Sequence, residues 1–348
     1  MNGRGQGVAV VKPDRRGAAL TRRQALPLLL AGGAAATGLV ACQPARLVRR
    51  DTTRRLVLRI NLYGSAAYAP LLLLRDRRLL EEALPGLSVE WKIVPSALAV
   101  NRALLDGGLD IAAGPPTAFL LAREAGVPAR IIGAVAALPC AVVGRAGLRS
   151  LRTLRREDRV AVPDDSSLEA AVLHLAALRE FGDARALDAN MVTRPSPEAL
   201  PTLKAGKELA AHVAMTPFLD VALEGTASER LVDSRELFGG LPTATLVYAM
   251  PSLREQALPL LDTFTQALAE ASRLAVSDAL GTARLLSELE ELQISPDRLG
   301  DILARSGWQL GGPVTGVTRI ADLWRHTDRL QRTPAAWSEL AFAGVQGD

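Results

Sequence analysis

Aromatic side chains account for only 4% of the 348 residues, and cysteine occurs twice, at Cys42 and Cys140. So few aromatics argue against a β-sandwich core and suit helices packed on sheets through Ala, Leu and Val. Two cysteines exclude a disulfide framework. Histidine is equally sparse: His174, His212 and His326 stand apart, without the spacing of metal ligands. Neither phosphate-cradling glycine signature, G-x-G-x-x-G or G-x-x-x-x-G-K-[ST], is present. Catalysis, a metal site and a cofactor are therefore left without a carrier in the sequence. Binding remains.

The basic balance of the chain is local. Residues 1–41 hold Arg4, Lys12, Arg15, Arg16, Arg22 and Arg23 against one acid, Asp14, which leaves 35 bases and 36 acids in the remainder. Nothing in that remainder calls for nucleic acid. Arg22-Arg23 precede the apolar, Gly- and Ala-rich run Ala25–Ala41, which ends in Leu39-Val40-Ala41-Cys42. Small residues before a cysteine suit a lipoprotein signal peptidase, and the arginine pair is similar to a twin-arginine signal. Ala25 and Pro27 stand where that signal usually has an aromatic and a lysine. A transmembrane anchor is the alternative, but the run is 17 residues with three glycines and a proline, short of the ~20 apolar residues of a span. The expectation is a leader over 1–41, lipidation at Cys42 and a basic tether over 42–55. Arg46, Arg49, Arg50, Arg54 and Arg55 make that tether either a contact for anionic lipid or a solvated linker.

Beyond the tether, strand and helix signals alternate. Strands are predicted at 56–62, 87–94, 109–113 and 129–136. A helix from Pro70 to Ala83 and one capped by Ser96 separate the first three, and a third helix follows Thr117. After 152–154 the pattern restarts with a strand at 158–163. Ser166 and Glu169 have capping-box spacing for a helix ending before Gly182. Another helix runs from Ser196 to Gly206. The chain returns through Thr245–Met250 and is mostly helical from Pro251 onward. Leu104, Gly107, Ala112, Thr117, Phe119, Leu120 and Gly126 recur 99 residues later as Leu203, Gly206, Ala211, Thr216, Phe218, Leu219 and Gly225. That is either chance in an Ala- and Leu-rich sequence or a pair of similar lobes.

In open α/β sheets, ligands sit beyond the carboxyl ends of the strands. Four segments occupy such ends: 64–68, 114–117, 164–167 and 214–216. Each leads into a helix start, where free N–H groups favour an anion or a carbonyl oxygen. Ser166 and Thr117 could equally serve only their own turns, and Tyr68 could be a partly buried helix residue. Asp110 is read as bracing its strand, Cys140 as an inert buried thiol, and His174 as a surface or boundary residue. His212, on a strand heading for the cleft, is the one histidine read as a possible contact. Trp308, Trp324 and Trp337 place the helical tail on the first lobe.

The segments A-A-Y-A-P-L-L-L-L (66–74), A-L-L-D-G-G-L-D-I-A-A-G-P-P-T-A-F-L-L-A-R-E-A-G-V-P (103–128), V-A-V-P-D-D-S-S-L-E-A-A (160–171) and P-E-A-L-P-T-L-K-A-G (197–206) carry a family likeness. In them the chain resembles the substrate-binding lipoproteins of nitrate/sulfonate/taurine-type ABC importers, a superfamily that includes thiamine-precursor binders. The resemblance implies a type II periplasmic-binding fold: two α/β lobes, each a mainly parallel sheet flanked by helices, joined by two crossover strands. The lobes would be 56–140 plus 245–348, and 141–244. It also implies ligand contacts at Ser65, Tyr68, Thr117, Ser166, Ser167 and Thr216. A monomer tethered through Cys42 to the extracytoplasmic face would deliver a small solute to a permease and its ATPase. A sulfonate- or nitrate-like anion is the first expectation and a neutral heterocycle the second. Leu209 and Thr216-Pro217 depart from the acidic residue and the Glu-Pro pair usual in the family. The rivals are a cytoplasmic enzyme on the same fold, such as a pyrimidine-precursor synthase or a small-acid dehydratase, and a tethered ligand sensor.

Overall fold

The computed structural model describes residues 56–94, 96–225, 228–288 and 293–348. The leader, the tether and the lipidation expected at Cys42 lie outside the described residues.

Eleven strands among these residues are β1 (Leu56–Leu62), β2 (Leu87–Ile93), β3 (Ile111–Gly114), β4 (Arg130–Ala137), β5 (Cys140–Arg145), β6 (Arg159–Val162), β7 (Met191–Thr193), β8 (Leu209–Met215), β9 (Ser228–Asp233), β10 (Thr243–Ala249) and β11 (Gln309–Leu310). The helices of the first half are α1 (Ala69–Asp76), α2 (Leu79–Ala83), α3 (Ala97–Leu105), α4 (Pro116–Glu124), α5 (Leu168–Phe181), α6 (Ser196–Ala205), α7 (Phe218–Leu223) and α8 (Ser234–Phe238). The tail adds α9 (Pro251–Ser277), α10 (Ala279–Ser287), α11 (Pro296–Arg305), α12 (Val317–His326) and α13 (Trp337–Leu340). Among the described residues no helix is long and apolar enough to cross a membrane.

The strands form two sheets, ordered β2-β1-β3-β10-β4-β11 and β7-β6-β8-β5-β9. Replacing β1, β2, β3, β4 and β10 by β6, β7, β8, β9 and β5 converts one order into the other, leaving out the short β11. In each sheet the first three strands run parallel and the strand arriving from the other sheet runs antiparallel. The 99-residue repeat falls on equivalent pieces: α3-β3-α4 in one lobe and α6-β8-α7 in the other.

The expected fold class is therefore the observed one, with local differences. The helix expected from Pro70 to Ala83 is two, because Arg78 adopts φ 52°, a left-handed conformation that no helix can pass through. The helix after β6 begins one residue late: Ser167, not Ser166, is its N-cap, and Ser167 Oγ accepts from the Ala170 N–H at 3.1 Å. Asp164 has already engaged Ser166, whose N–H and hydroxyl both donate to Asp164 Oδ1. Gly182 ends the helix at φ 76°, as its position in the sequence required. A continuous apolar core runs beneath both sheets, and a smaller cluster (Ala161, Leu200, Leu203, Leu209, Leu219) packs α6 and α7 onto the second.

Candidate ligand-binding cleft

Register places the site. Cys140, the first residue of β5, pairs with Met215, the last of β8. Thr243, the first of β10, pairs with Ala137 at the end of β4, and Leu246 pairs with Gly114 at the end of β3. Both crossovers thus enter a sheet at its carboxyl edge. The first link is only Leu138-Pro139, which holds the two edges within roughly 10 Å of each other at that point. The Thr216 N–H donates to the Pro139 carbonyl at 2.9 Å and closes the junction. Helix-starting loops from both sheets therefore converge at this junction.

On the first rim, buried Asn61 ties β1 to β3: its Nδ2 donates to the Ala113 carbonyl at 2.9 Å, and its Oδ1 accepts from the Ala113 N–H at 2.6 Å. Tyr68 donates to the same carbonyl at 3.3 Å. Its phenol is therefore a strut, and burial pushes its pKa well up. Ser65 caps the 3-10 turn Ala66–Tyr68 by accepting from the Ala67 N–H at 3.2 Å. Asn101 grips the start of α4 through the Ala118 carbonyl at 3.0 Å and is held in turn by Tyr248 at 2.8 Å. Within this braced turn Thr117 is 0% exposed, and its hydroxyl has no hydrogen-bond partner among the described residues.

On the second rim, Thr216 donates to Asp220 Oδ2 at 2.8 Å. Burial raises the Asp220 pKa against that hydrogen bond. Ser167 both caps α5 and donates to the Asp164 carbonyl at 2.8 Å. With Ser167 as the cap, Glu169 falls at the second helical position rather than the third, so the capping box read from the sequence does not form. The Glu169 carboxylate is only partly exposed, and burial lifts its pKa to about 7 against the pull of its own main-chain N–H. Its charge is felt at the Cys140 thiol, beside the first crossover.

The six expected contact residues are thus gathered on the two carboxyl rims, but most of their polar atoms are committed locally. Asn61, which ties the first rim, was not singled out in the sequence, and Glu169 was read only as a capping partner. An Asn in an apolar strand was the available signal for one, and a Glu in a helix's first turn for the other. His212 is corrected as a contact: it is 0% exposed, its Nδ1–H donates to the Ala161 carbonyl at 3.1 Å, and its Nε2 accepts from Ser196 at 3.0 Å. It bolts β6 to α6 beneath the sheet. Its pKa is lowered to about 4, burial outweighing the Ala161 bond. His174 is likewise no surface residue; it is 3% exposed, with Nε2 3.0 Å from Asp188. Cys140 is buried, and burial raises its pKa well above the thiol range, as an inert thiol requires. Asp110 braces β1 through the Arg59 N–H at 2.8 Å and Nε at 3.1 Å.

Two surface depressions are found among the described residues. One, of about 270 Å³, is lined by Arg325, His326, Asp328, Leu330 and Gln331. The other, of about 330 Å³, lies between α1, α2 and α9 around Leu73, Arg77 and Asp278. Neither collects a strand-end loop.

No protein-family model matches the chain, and no curated protein matches it in sequence. Solved structures do. The alkanesulfonate-binding protein SsuA from Xanthomonas axonopodis pv. citri, bound to MOPS, is 19% identical, with TM-score 0.64 over 82% of this chain and 97% of that one. The periplasmic aliphatic sulphonate-binding protein SsuA from Escherichia coli is 17% identical, with TM-score 0.67 over 83% and 93%. The periplasmic nitrate-binding protein NrtA from Synechocystis PCC 6803 is 11% identical, with TM-score 0.60 over 81% and 83%. At such identities the likeness is one of fold: this chain has the two-lobed α/β architecture of periplasmic sulfonate- and nitrate-binding proteins.

Proposed function

We propose that this protein is the solute-binding receptor of an ABC importer, a tethered extracytoplasmic monomer that closes on a small polar solute and presents it to a membrane permease and its ATPase. The observation that carries the reading is the convergence of both carboxyl rims at a two-residue crossover. Contacts to both lobes exist only when the gap is shut, so a solute draws an open–closed equilibrium toward closure. The similar solved proteins, named for binding alkanesulfonates and nitrate, support it. Lobes of 56–140 plus 245–348 and of 141–244 would then be the moving bodies, and acylated Cys42 the anchor.

An enzyme on this fold needs a reactive side chain in the gap. Two candidates are spent elsewhere: Cys140 is a buried, raised-pKa thiol, and His212 has both ring nitrogens engaged in the core. A receptor needs neither. The test is a thermal-shift screen of the intact chain against small solutes, together with radioactive fatty-acid labelling of cells. The reading predicts a saturable rise in melting temperature with at least one solute and labelling lost in Cys42→Ala. A chain that turns over a solute, or that takes up no lipid, contradicts it.

A further inference from the structure

The first sheet ends on β2 and the second on β7. The strands tied to the crossovers, β4 and β10 in one sheet and β5 and β9 in the other, lie toward the opposite edge of each. On the receptor reading the rims hinge at those strands. The carboxyl ends of β2 and β7 then border the mouth through which a solute enters and leaves.

On the β2 side stand the three most exposed large apolar side chains of the described residues: Ile93 at 86%, Leu98 at 77% and Tyr63 at 60%. Register brings them together. Ile93, the last residue of β2, pairs with Leu62, the last of β1, and Tyr63 follows Leu62 directly. Ser96 caps α3 three positions beyond Ile93, its Oγ accepting from the Ala99 N–H at 3.2 Å, and Leu98 falls in the first turn. Leu98 can therefore stand no more than roughly 17 Å from Ile93. The Tyr63 ring meets that of Tyr68 edge-on at 6.0 Å, so the strut of the first rim also braces this lip.

The charges around the lip cancel. Glu90 pairs with Lys92 at 2.7 Å, and Arg102 pairs with Asp106 at 2.6 Å. An exposed apolar patch rimmed by polar residues gains by being covered and marks an interaction surface. The second lobe has no matching face to lay on it: β7 ends in exposed Thr193, and exposed Pro195 and Glu198 lead into α6. A lipid surface does not fit either, because a mouth pressed against hydrocarbon leaves a polar solute no way out. The protein that takes the solute is what must meet the mouth.

We propose that Tyr63, Ile93 and Leu98 form the first lobe's docking lip for the permease, seating an uncharged, apolar patch on its extracytoplasmic face. This rests on the receptor reading and adds the surface and the chemistry of its partner.

Photo-crosslinking in cells tests it, with p-benzoylphenylalanine in place of Ile93 in one full-length chain and of Leu98 in another. The control carries it in place of Val276, an exposed apolar residue of α9. The lip positions, and not the control, are expected to crosslink to a multi-span membrane protein that co-purifies with an ATPase. In isolated membranes the yield should be the same at low and high salt, since no ion pair carries the contact. A second measurement uses whichever of radiolabelled methanesulfonate, nitrate or cytosine stabilises the wild-type chain. Its uptake should fall about tenfold in the double variant Ile93→Asn, Leu98→Asn, while its thermal shift and the unliganded melting temperature match wild type. Crosslinks to lipid or to a second copy of this chain, no crosslink from either lip position, or wild-type uptake by the double variant would each overturn the proposal and leave the receptor reading standing. A wild-type chain that none of the three solutes stabilises counts against the receptor reading, and the proposal falls with it.

Discussion

Arg329, just past α12 in the first lobe, donates from Nη1 to the main-chain carbonyl of Asp165 at 2.7 Å, in the loop of the second lobe that also carries Ser166 and Ser167. Its guanidinium lies 6.0 Å from the ring of buried Trp324. Arg185 of the second lobe answers by donating to the Thr327 carbonyl of the first. A third bridge joins Arg298 on α11 to Glu224. The tail therefore does more than pack on its own lobe, as its tryptophans suggested: it clasps the other one.

Asp165 is largely exposed, so the ion pair itself adds little. The bond to the carbonyl and the packing on Trp324 carry the clasp. Arg329→Ala is predicted to destabilise the chain by about 1 kcal/mol and to open the unliganded form. Small-angle scattering should record a larger radius of gyration than wild type, reversed by a bound solute. An unchanged radius would remove the clasp from the account.

The cap at α5 separates two adjacent serines. Ser167→Ala should cost about 1 kcal/mol, whereas Ser166→Ala, which removes one bond at the rim of an exposed turn, should cost less. Urea denaturation of the two variants decides it, and equal or inverted losses would refute the assignment.

This pair also marks where the sequence stopped being legible. Strand–helix order could be read because its signals are local: Ser96 caps α3, and Gly182 and Gly206 stop α5 and α6 in left-handed geometry. The 99-residue repeat could be read because both lobes solve the same packing problem. Ser166 and Ser167 could not be told apart, since the choice depends on which way Asp164 turns. His174 and His212 were misplaced because their partners, Asp188, Ala161 and Ser196, are brought to them by packing. Glu169 was seen and given the wrong role, because its capping box fails by one residue.

Acid should expose His212. Its folded pKa of about 4 lies below the ordinary 6.5, so between those values the unfolded chain binds a proton that the folded chain refuses. The stability present above pH 6.5 is lost as pH falls toward 4, by up to about 3 kcal/mol. Glu169 works in the opposite direction. Its folded pKa of about 7 exceeds the ordinary 4.5, so its contribution is whole below pH 4.5 and lost as pH rises through 7. Discounted for partial exposure, Glu169→Gln should stabilise the unliganded chain by about 2 kcal/mol at pH 8 and leave it unchanged at pH 4. Urea midpoints across pH 4–8 for wild type, His212→Gln and Glu169→Gln check both signs. A pH profile that neither variant alters would show that neither group titrates as described.

Thr117→Val keeps the shape and removes the orphaned hydroxyl. The unliganded chain should gain about 1 kcal/mol, while affinity for the solute drops about tenfold, equivalent to ~1.4 kcal/mol. Melting temperatures with and without solute separate the two effects. A variant that loses stability and keeps its affinity would mean that Thr117 serves only its own turn.

A crystal structure of the intact chain with the solute that stabilises it most would test the central idea with least inference. It should show that molecule enclosed where β3, β6 and β8 end, touching the Thr117 turn on one side and the loop of Ser166 and Ser167 on the other, with the halves of the protein drawn together. Finding it instead in the depression beside Arg325 and Gln331, or finding the space between the sheets filled by the protein's own side chains, would contradict the account.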